Sequence, residues 1–142
     1  MKIGFHNSIE EISKNEWNSL LNDINYPFLK HDFLQLLENT NCVGAKTGWI
    51  PLHITVSKDN SLLAAMPLYL KSHSQGEFVF DHSWANAFYQ HGLDYYPKLV
   101  SSIPHTPASG PRFLIKEGEN KKELFEMIKK GVKSIAAKKH CY

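Results

Sequence analysis

Between Trp49 and Leu70 the chain changes from helical to alternating periodicity, and this change restricts the fold more than any other feature. Apolar and polar residues alternate here: Leu52, Ile54 and Val56 are separated by His53, Thr55 and Ser57. Turn-forming residues follow at 58–60, and a second apolar run covers 62–70. The pattern predicts a β-hairpin. Pro67 cannot donate to a sheet ladder, so we expect it at an edge or a bulge.

Two helices are predicted before this hairpin. The first is marked by Ser13 and Glu16, which have the spacing of a capping box. Its apolar residues recur at helical spacing and are Trp17, Leu20, Leu21 and Ile24. The second is expected to begin at Asp32, with Gln35 three residues on and with Phe33, Leu36 and Leu37 buried.

A further helix is predicted near the end of the sequence, from about Lys121 to Lys138. Asn120 precedes it as a capping residue, and Glu123 stands at the third position. Its apolar face consists of Leu124, Ile128, Val132 and Ile135. The lysines in its second half oppose the helix dipole and are expected to form a solvated face.

Shorter elements complete the pattern. They are a strand at Lys2–His6, a helix at Ser83–His91 ended by Gly92, and strands at Leu99–Ile103 and Arg112–Ile115. The fold class is therefore α+β, with N-terminal helices, a mixed or antiparallel sheet and a C-terminal helix. A chain of 142 residues is long enough for one core and too short for two, so residues 1–142 are expected to form a single domain or part of one.

Composition argues against several function classes. With 16 basic and 14 acidic residues the charge is nearly balanced, which gives no support for DNA binding. The N-terminus has no signal-peptide core, and the longest apolar run is too short to span a membrane, so we expect a cytoplasmic protein without a membrane partner. Two separate cysteines and irregularly spaced histidines do not predict a metal site.

The segment from Lys71 to Arg112 mixes charged and aromatic residues without periodicity, which is typical of a half-buried polar site. We predict Glu77, Asp81 and His73 as catalytic residues. The predicted substrate-binding residues are Lys71, Trp84, Tyr95, Tyr96, Lys98 and Arg112. Either carboxylate could act as a general base, and the alternative is an ion pair with Lys71 or Lys98. For His73, between two serines, the alternative is a turn histidine without a chemical role.

Arg112 is the only arginine in the chain, and a planar guanidinium suits a carboxylate or phosphate better than lysine does. A structural ion pair is the alternative for Arg112. Tyr95 and Tyr96 could line a groove for a peptide or sugar-linked acceptor, and the alternative is that they pack in or over the core.

Several consecutive motifs carry a family resemblance. They are Gly48–His53, Pro67–Ser74, Gly76–Asp81, Tyr95–Leu99, Thr106-Pro107 and Gly110–Arg112. In this order they resemble a family of predicted bacterial N-acyltransferases, often labelled peptidoglycan biosynthesis/recognition proteins. Their fold is similar to that of GNAT acyltransferases and of the two-lobed Fem-type aminoacyl transferases. The resemblance covers about Phe33 to Leu114. Departures are Gln75 in place of an aromatic residue, His82 in place of Trp and His105 in place of Phe.

The resemblance implies a partial GNAT-like lobe of an N-acyltransferase, with a C-terminal lobe missing and the 142-residue chain inactive alone. It implies acyl-CoA or aminoacyl-tRNA as donor, although the chain shows no coenzyme A glycine loop. The implied acceptor is a small molecule, a peptide or an amino sugar. Two alternatives stay open: a non-catalytic module that recognises a cell-wall peptide or glycan, and an inactive gene fragment.

Overall fold

The fold consists of four α-helices and seven β-strands within the residues that the computed structural model describes, which are 1–22, 24–77 and 81–141. The helices are α1 (Lys14–Ser19), α2 (His31–Asn39), α3 (His82–Gln90) and α4 (Lys121–Lys139). The strands are β1 (Lys2–His6), β2 (Trp49–Pro51), β3 (His53–Lys58), β4 (Ser61–Met66), β5 (Tyr69–Lys71), β6 (Lys98–Val100) and β7 (Leu114–Ile115). The predicted α+β class is confirmed.

The strands form two antiparallel sheets. The first has the order β1-β3-β4-β7, and the second has the order β2-β5-β6. Pro67 lies between β4 and β5, where the chain passes from one sheet to the other. The prediction that Pro67 sits at an edge or bulge is therefore wrong, because the residue needs no ladder bond in this connection. The irregularity of the hairpin lies instead between Val56 and Ser57.

The predicted hairpin is confirmed as β3 and β4. Its turn residues Asp59 and Asn60 have φ values of 50° and 61°. Left-handed conformations at both central positions match the twist of the flanking strands, and short polar side chains tolerate them.

The first sheet is covered on both faces. One core cluster joins α1 and α2 to the sheet, and the other joins α4 to the opposite face. Because both faces are covered, the polar residues of the alternating pattern are buried too: His53 is 0% exposed and Thr55 5%. A Cβ on Gly131 would lie 2.6 Å from the Ile54 side chain, so α4 packs closely on this sheet.

The first helix, α1, is shorter than the helical spacing of apolar residues up to Ile24 predicted. Ser13 Oγ accepts a hydrogen bond from Glu16 N at 3.4 Å, as the capping box predicts. Glu16 Oε1, however, accepts from Leu62 N rather than reaching back to Ser13. The helix ends at Ser19, and Asn22 has a φ of 50°. Ile24 lies beyond the helix and is 44% exposed, so its predicted place on the helical face is wrong.

The second helix buries only part of the predicted face, on which Phe33 and Leu37 are partly buried against core clusters. It begins at His31 without a side-chain cap, and Asp32 pairs with Lys14 at 2.8 Å instead of capping. His31 Nε2 lies 2.9 Å from the carbonyl oxygens of two residues of the N-terminal segment. This contact turns His31 and Leu34 inward and leaves Leu36 59% exposed. Leu36 was therefore wrongly predicted as buried.

The remaining elements follow the sequence closely. Asn120 accepts a hydrogen bond from Glu123 N at 3.2 Å at the start of α4, as predicted. Gly92, with a φ of 70°, follows α3. Strand β7 lies inside its predicted range, β6 begins one residue before its predicted start, and both are shorter than predicted. In the described part of the chain, no helix has the length and apolar character needed to cross a membrane.

Candidate functional site

A crosswise row of three residues forms the base of the candidate site. In the second sheet Lys71 pairs with Trp49 on one side and with Lys98 on the other. Directly opposed residues of an antiparallel sheet point to the same face, so these side chains lie next to one another. The Lys71 side chain is fully buried. Its Nζ lies 4.3 Å from the Trp49 ring centre and donates to the Gln75 carbonyl oxygen at 2.6 Å.

Two carboxylates converge on the end of this row. Lys98 Nζ lies 3.1 Å from Glu77 Oε2 and also donates to Asp81 Oδ2. The Tyr96 hydroxyl donates to Asp81 Oδ2 at 3.0 Å, and Ser74 Oγ lies 2.5 Å from the Tyr96 oxygen. The Glu77 and Asp81 side chains are only 9% and 6% exposed. The structure thus contains the ion pair with Lys98, and a catalytic role for either carboxylate stays a prediction.

The electrostatics of the cluster stabilise the ionised form of Asp81. Burial raises the pKa of Asp81, but hydrogen bonds from Lys98, Ser74 and Tyr96 outweigh it and lower that pKa to about 2. A carboxylate with so low a pKa is a weak base, so Asp81 is suited to holding its neighbours in place. Burial raises the pKa of Tyr96 to about 12. Burial alone would lower the pKa of Lys98. The hydrogen bonds to Asp81 and Glu77 have the larger effect, so the pKa of Lys98 is raised above its ordinary value.

A cavity of about 200 Å³ adjoins the carboxylate cluster. It is lined by Trp49, Gly76, Glu77, Ser102, Ile103, Thr106, Pro107, Ala108, Ser109 and Arg112. Two residues of this lining, Glu77 and Trp49, each have a buried polar atom, Oε1 and Nε1 respectively, with no hydrogen-bond partner among the described residues. One is an acceptor and the other a donor. The site can therefore receive a ligand group that donates to Glu77 and another that accepts from Trp49.

Gly76 keeps open the space beside the indole nitrogen. Its φ is +78°, and a Cβ built on it would lie 2.7 Å from Trp49 Nε1 and 2.8 Å from the His105 ring. His105 Nε2 lies 2.9 Å from the Cys42 carbonyl oxygen, so that nitrogen carries the proton. Both the backbone conformation and the close approach require glycine at this position.

A family model described as peptidoglycan biosynthesis/recognition matches residues 8–142. The chain belongs to the FemAB-like family. Neither a curated protein nor a solved structure matches the sequence. The family confirms the resemblance drawn from the central motifs and extends it over α1 and α4. Similarity to GNAT folds stays a prediction.

Arg112 lines the FemAB-like protein's cavity, but its guanidinium is already engaged. It donates to the carbonyl oxygens of Ala108 at 2.6 Å and of Gly110 at 3.1 Å. Its Cζ also lies 5.9 Å from the Tyr26 ring centre. Within the described residues Arg112 forms no salt bridge, so its sequence-based alternative, a structural ion pair, is not what the structure shows. Its guanidinium fixes the 108–112 loop that forms one wall of the cavity.

The other predicted residues of the FemAB-like site are more dispersed. His73 Nδ1 accepts from Gln75 N at 3.2 Å, and its ring packs against Gly48. Trp84 is 68% exposed on α3. The Tyr95 ring packs edge-on against Phe88 at 5.2 Å. Tyr96, Lys98, Glu77 and Asp81 therefore form one cluster. Tyr95 borders it, because Lys98 Nζ lies 5.1 Å from the Tyr95 ring centre. Within the described residues, His73 and Trp84 take no part in the hydrogen bonds of this cluster.

Three residues of this FemAB-like site were not predicted from the sequence. They are Trp49, Ser74 and Gly76. Trp49 and Gly76 stand within the family motifs, but only the pairing of β2 with β5 brings the indole beside the carboxylates. Ser74 contributes through Tyr96, 22 residues away in the chain. The motif residues Phe78, Val79 and Phe80 lie outside the described residues.

Proposed function

We propose that this protein takes part in acyl or aminoacyl transfer to an amine in peptidoglycan metabolism, and that its cavity holds the acceptor amine. The observation that carries the proposal is the divided environment of Glu77. Its Oε2 is fixed by Lys98 at 3.1 Å, and its Oε1 is buried beside the cavity without a partner among the described residues. An amine nitrogen is a natural donor to such an oxygen.

The chemistry asks for a group that removes a proton from the acceptor. The amine nitrogen attacks the carbonyl carbon of a thioester or ester, a C–N bond forms, and the C–S or C–O bond of the donor breaks. Glu77 Oε1 takes the proton that the nitrogen loses and returns it to the departing sulfur or oxygen. A base positioned in this way typically contributes a factor of about 10²–10⁴ to the rate.

The neighbours of Glu77 act as positioning residues in this proposal. Lys98 holds Glu77 Oε2, and Asp81 in turn holds Lys98. Asp81 is also held by Tyr96, which Ser74 contacts. Because the pKa of Asp81 is lowered to about 2, we assign the proton transfer to Glu77.

The acyl donor in this proposal is acyl-CoA or aminoacyl-tRNA, as the resemblance to Fem-type transferases implies. Both compounds are made in the cytoplasm, so we propose that the protein acts there. The acceptor in the proposal is the free amine of a peptidoglycan peptide or of an amino sugar. The same proposal treats residues 1–142 as one lobe of a transferase.

Glu77→Gln tests the assignment, with Glu119→Gln at an exposed position as the matched control. The native gene product is incubated with a peptidoglycan stem peptide that has a free amine. Acetyl-CoA and aminoacyl-tRNA are supplied in separate reactions, and the mass gain of the peptide is followed. We expect Glu77→Gln to lower the transfer rate at least about 100-fold and Glu119→Gln to leave it unchanged. Equal rates in wild type and Glu77→Gln would contradict the role of Glu77.

A non-catalytic recognition module is the second candidate, and the ion pairs of Lys98 favour it. Glu77 and Asp81 both form ion pairs with Lys98 Nζ. A cluster with a purely structural role would contain the same ion pairs. A module of this kind would bind the stem peptide without transfer from either donor, and Glu77→Gln would keep that affinity. The absence of a cooperative unfolding transition would instead favour an inactive gene fragment.

A further inference from the structure

We infer that the acceptor carries a carbonyl group next to its amine, as an amino-acid residue or aminoacyl group does, and that the carbonyl oxygen binds Trp49 Nε1. This inference rests on the proposed function and names the acceptor's chemical class. It adds Trp49 as a specificity-determining residue.

The argument begins with the two unpartnered atoms of the cavity lining. Trp49 is 1% exposed, and its indole N–H has no acceptor among the described residues. Buried indole N–H groups are normally hydrogen-bonded, as Trp17 Nε1 is to the Leu29 carbonyl oxygen at 2.8 Å. Glu77, which lines the same cavity, has a buried acceptor, Oε1, without a partner among the described residues. A ligand that satisfies both atoms must itself offer a donor and an acceptor.

Size limits how much of a ligand can enter. A volume of about 200 Å³ is below the roughly 300–1,000 Å³ of ordinary small-molecule sites. That space holds the amine end of one amino-acid residue, but it does not hold a whole glycopeptide. The missing side chain of Gly76 provides part of this space, because a Cβ there would lie 2.7 Å from the indole nitrogen.

Charge and hydrogen bonding disfavour simpler ligands. A plain alkylamine would satisfy Glu77 but leave the Trp49 N–H without an acceptor. A carboxylate without an amine would satisfy Trp49 but approach the buried negative charge of Glu77. An unmet buried polar group costs affinity, so a ligand with both groups is favoured.

The test compares two small amines of the same shape. Alaninamide carries the amine and the carbonyl, and 3-methylbutan-2-amine replaces the carboxamide by an isopropyl group. Each is titrated into the ¹⁵N-labelled protein while the indole N–H signals of its three tryptophans are followed by NMR. We expect alaninamide to shift the Trp49 signal and to bind more tightly, and we expect 3-methylbutan-2-amine to leave that signal in place.

Trp49→Phe removes the N–H but keeps an aromatic ring beneath Lys71. We expect it to weaken alaninamide binding about fivefold and to leave binding of 3-methylbutan-2-amine unchanged, since one neutral hydrogen bond is lost. If this variant does not fold, Trp17→Phe and Trp84→Phe identify the other two indole signals, and the wild-type titration decides.

The inference is overturned if alaninamide does not bind, if the Trp49 signal does not move, or if both amines bind equally well. None of these results depends on transfer. Loss of transfer in Glu77→Gln together with an unmoved Trp49 signal would keep the proposed function and reject the carbonyl contact. Unchanged transfer in Glu77→Gln would reject the proposed function whatever the indole shows.

Discussion

Asp81→Asn should lower the stability of the protein, because the folded state stabilises the ionised carboxylate of Asp81 more than the unfolded state does. The carboxylate is 6% exposed and is bound by Lys98 and Tyr96. Asparagine keeps the size and one acceptor oxygen but removes the charge that Lys98 needs. Among the described residues, Lys98 would then retain Glu77 alone as its ionic partner.

The size of the effect follows from the pKa of Asp81. The pKa lies at about 2 in the folded protein, against an ordinary value of 3.8. The difference corresponds to a contribution of about 2 kcal/mol to the free energy of unfolding. Since the folded-state pKa is lowered, this contribution is fully present above the ordinary pKa. It is lost as the pH falls from about 4 through about 2.

Urea denaturation at pH 7 and at steps from pH 6 to pH 2 measures both parts of the prediction. Asp94→Asn, at an exposed position, is the matched control. We expect Asp81→Asn to lower the free energy of unfolding by about 2 kcal/mol at pH 7 and to flatten its fall at acid pH. The control should match wild type at every pH. If Asp81→Asn also matches wild type at pH 7, and its free energy of unfolding falls as steeply between pH 6 and pH 2, the reasoning from the Lys98 cluster is refuted.

Two further predictions use matched pairs. Trp17→Phe should destabilise the protein by about 1–3 kcal/mol more than Trp49→Phe, because only Trp17 donates to a buried carbonyl oxygen, that of Leu29. Equal losses in urea denaturation would contradict this. Gly76→Ala and Gly118→Ala share a left-handed backbone, with φ values of +78° and +83°, but only the first places a methyl group 2.7 Å from another side chain. We expect Gly76→Ala to cost at least about 1 kcal/mol more in the free energy of unfolding, and similar costs would show that the indole moves aside freely.

Local features of the fold could be predicted because they depend on neighbours in the chain. Asn120 caps its helix through a residue three positions away, and the Asp59-Asn60 turn needs only its own backbone conformation. The end of α1 and the buried face of α2 depend on distant partners, such as His31 reaching the N-terminal segment. Such contacts span 19 to 22 residues and have no local pattern.

The candidate site was only partly predictable for the same reason. The segment from Lys71 to Arg112 was identified by its mixture of charge and aromatic residues, and the pairing of Lys98 with the carboxylates was among the alternatives. Trp49 enters the site from a strand more than 20 residues earlier, through sheet pairing that the sequence does not specify. Residue type indicated where chemistry is concentrated, and the pairing of strands decided which groups meet.

The row formed by Trp49, Lys71 and Lys98 has a consequence for how this family can vary in length. All three side chains share one face because their strands are in one register, and each strand is only three residues long. Deleting a single residue inside any of these strands would move its side chain to the opposite face and leave the other two without their neighbour. The three short strands must therefore keep a constant length if the row is to persist.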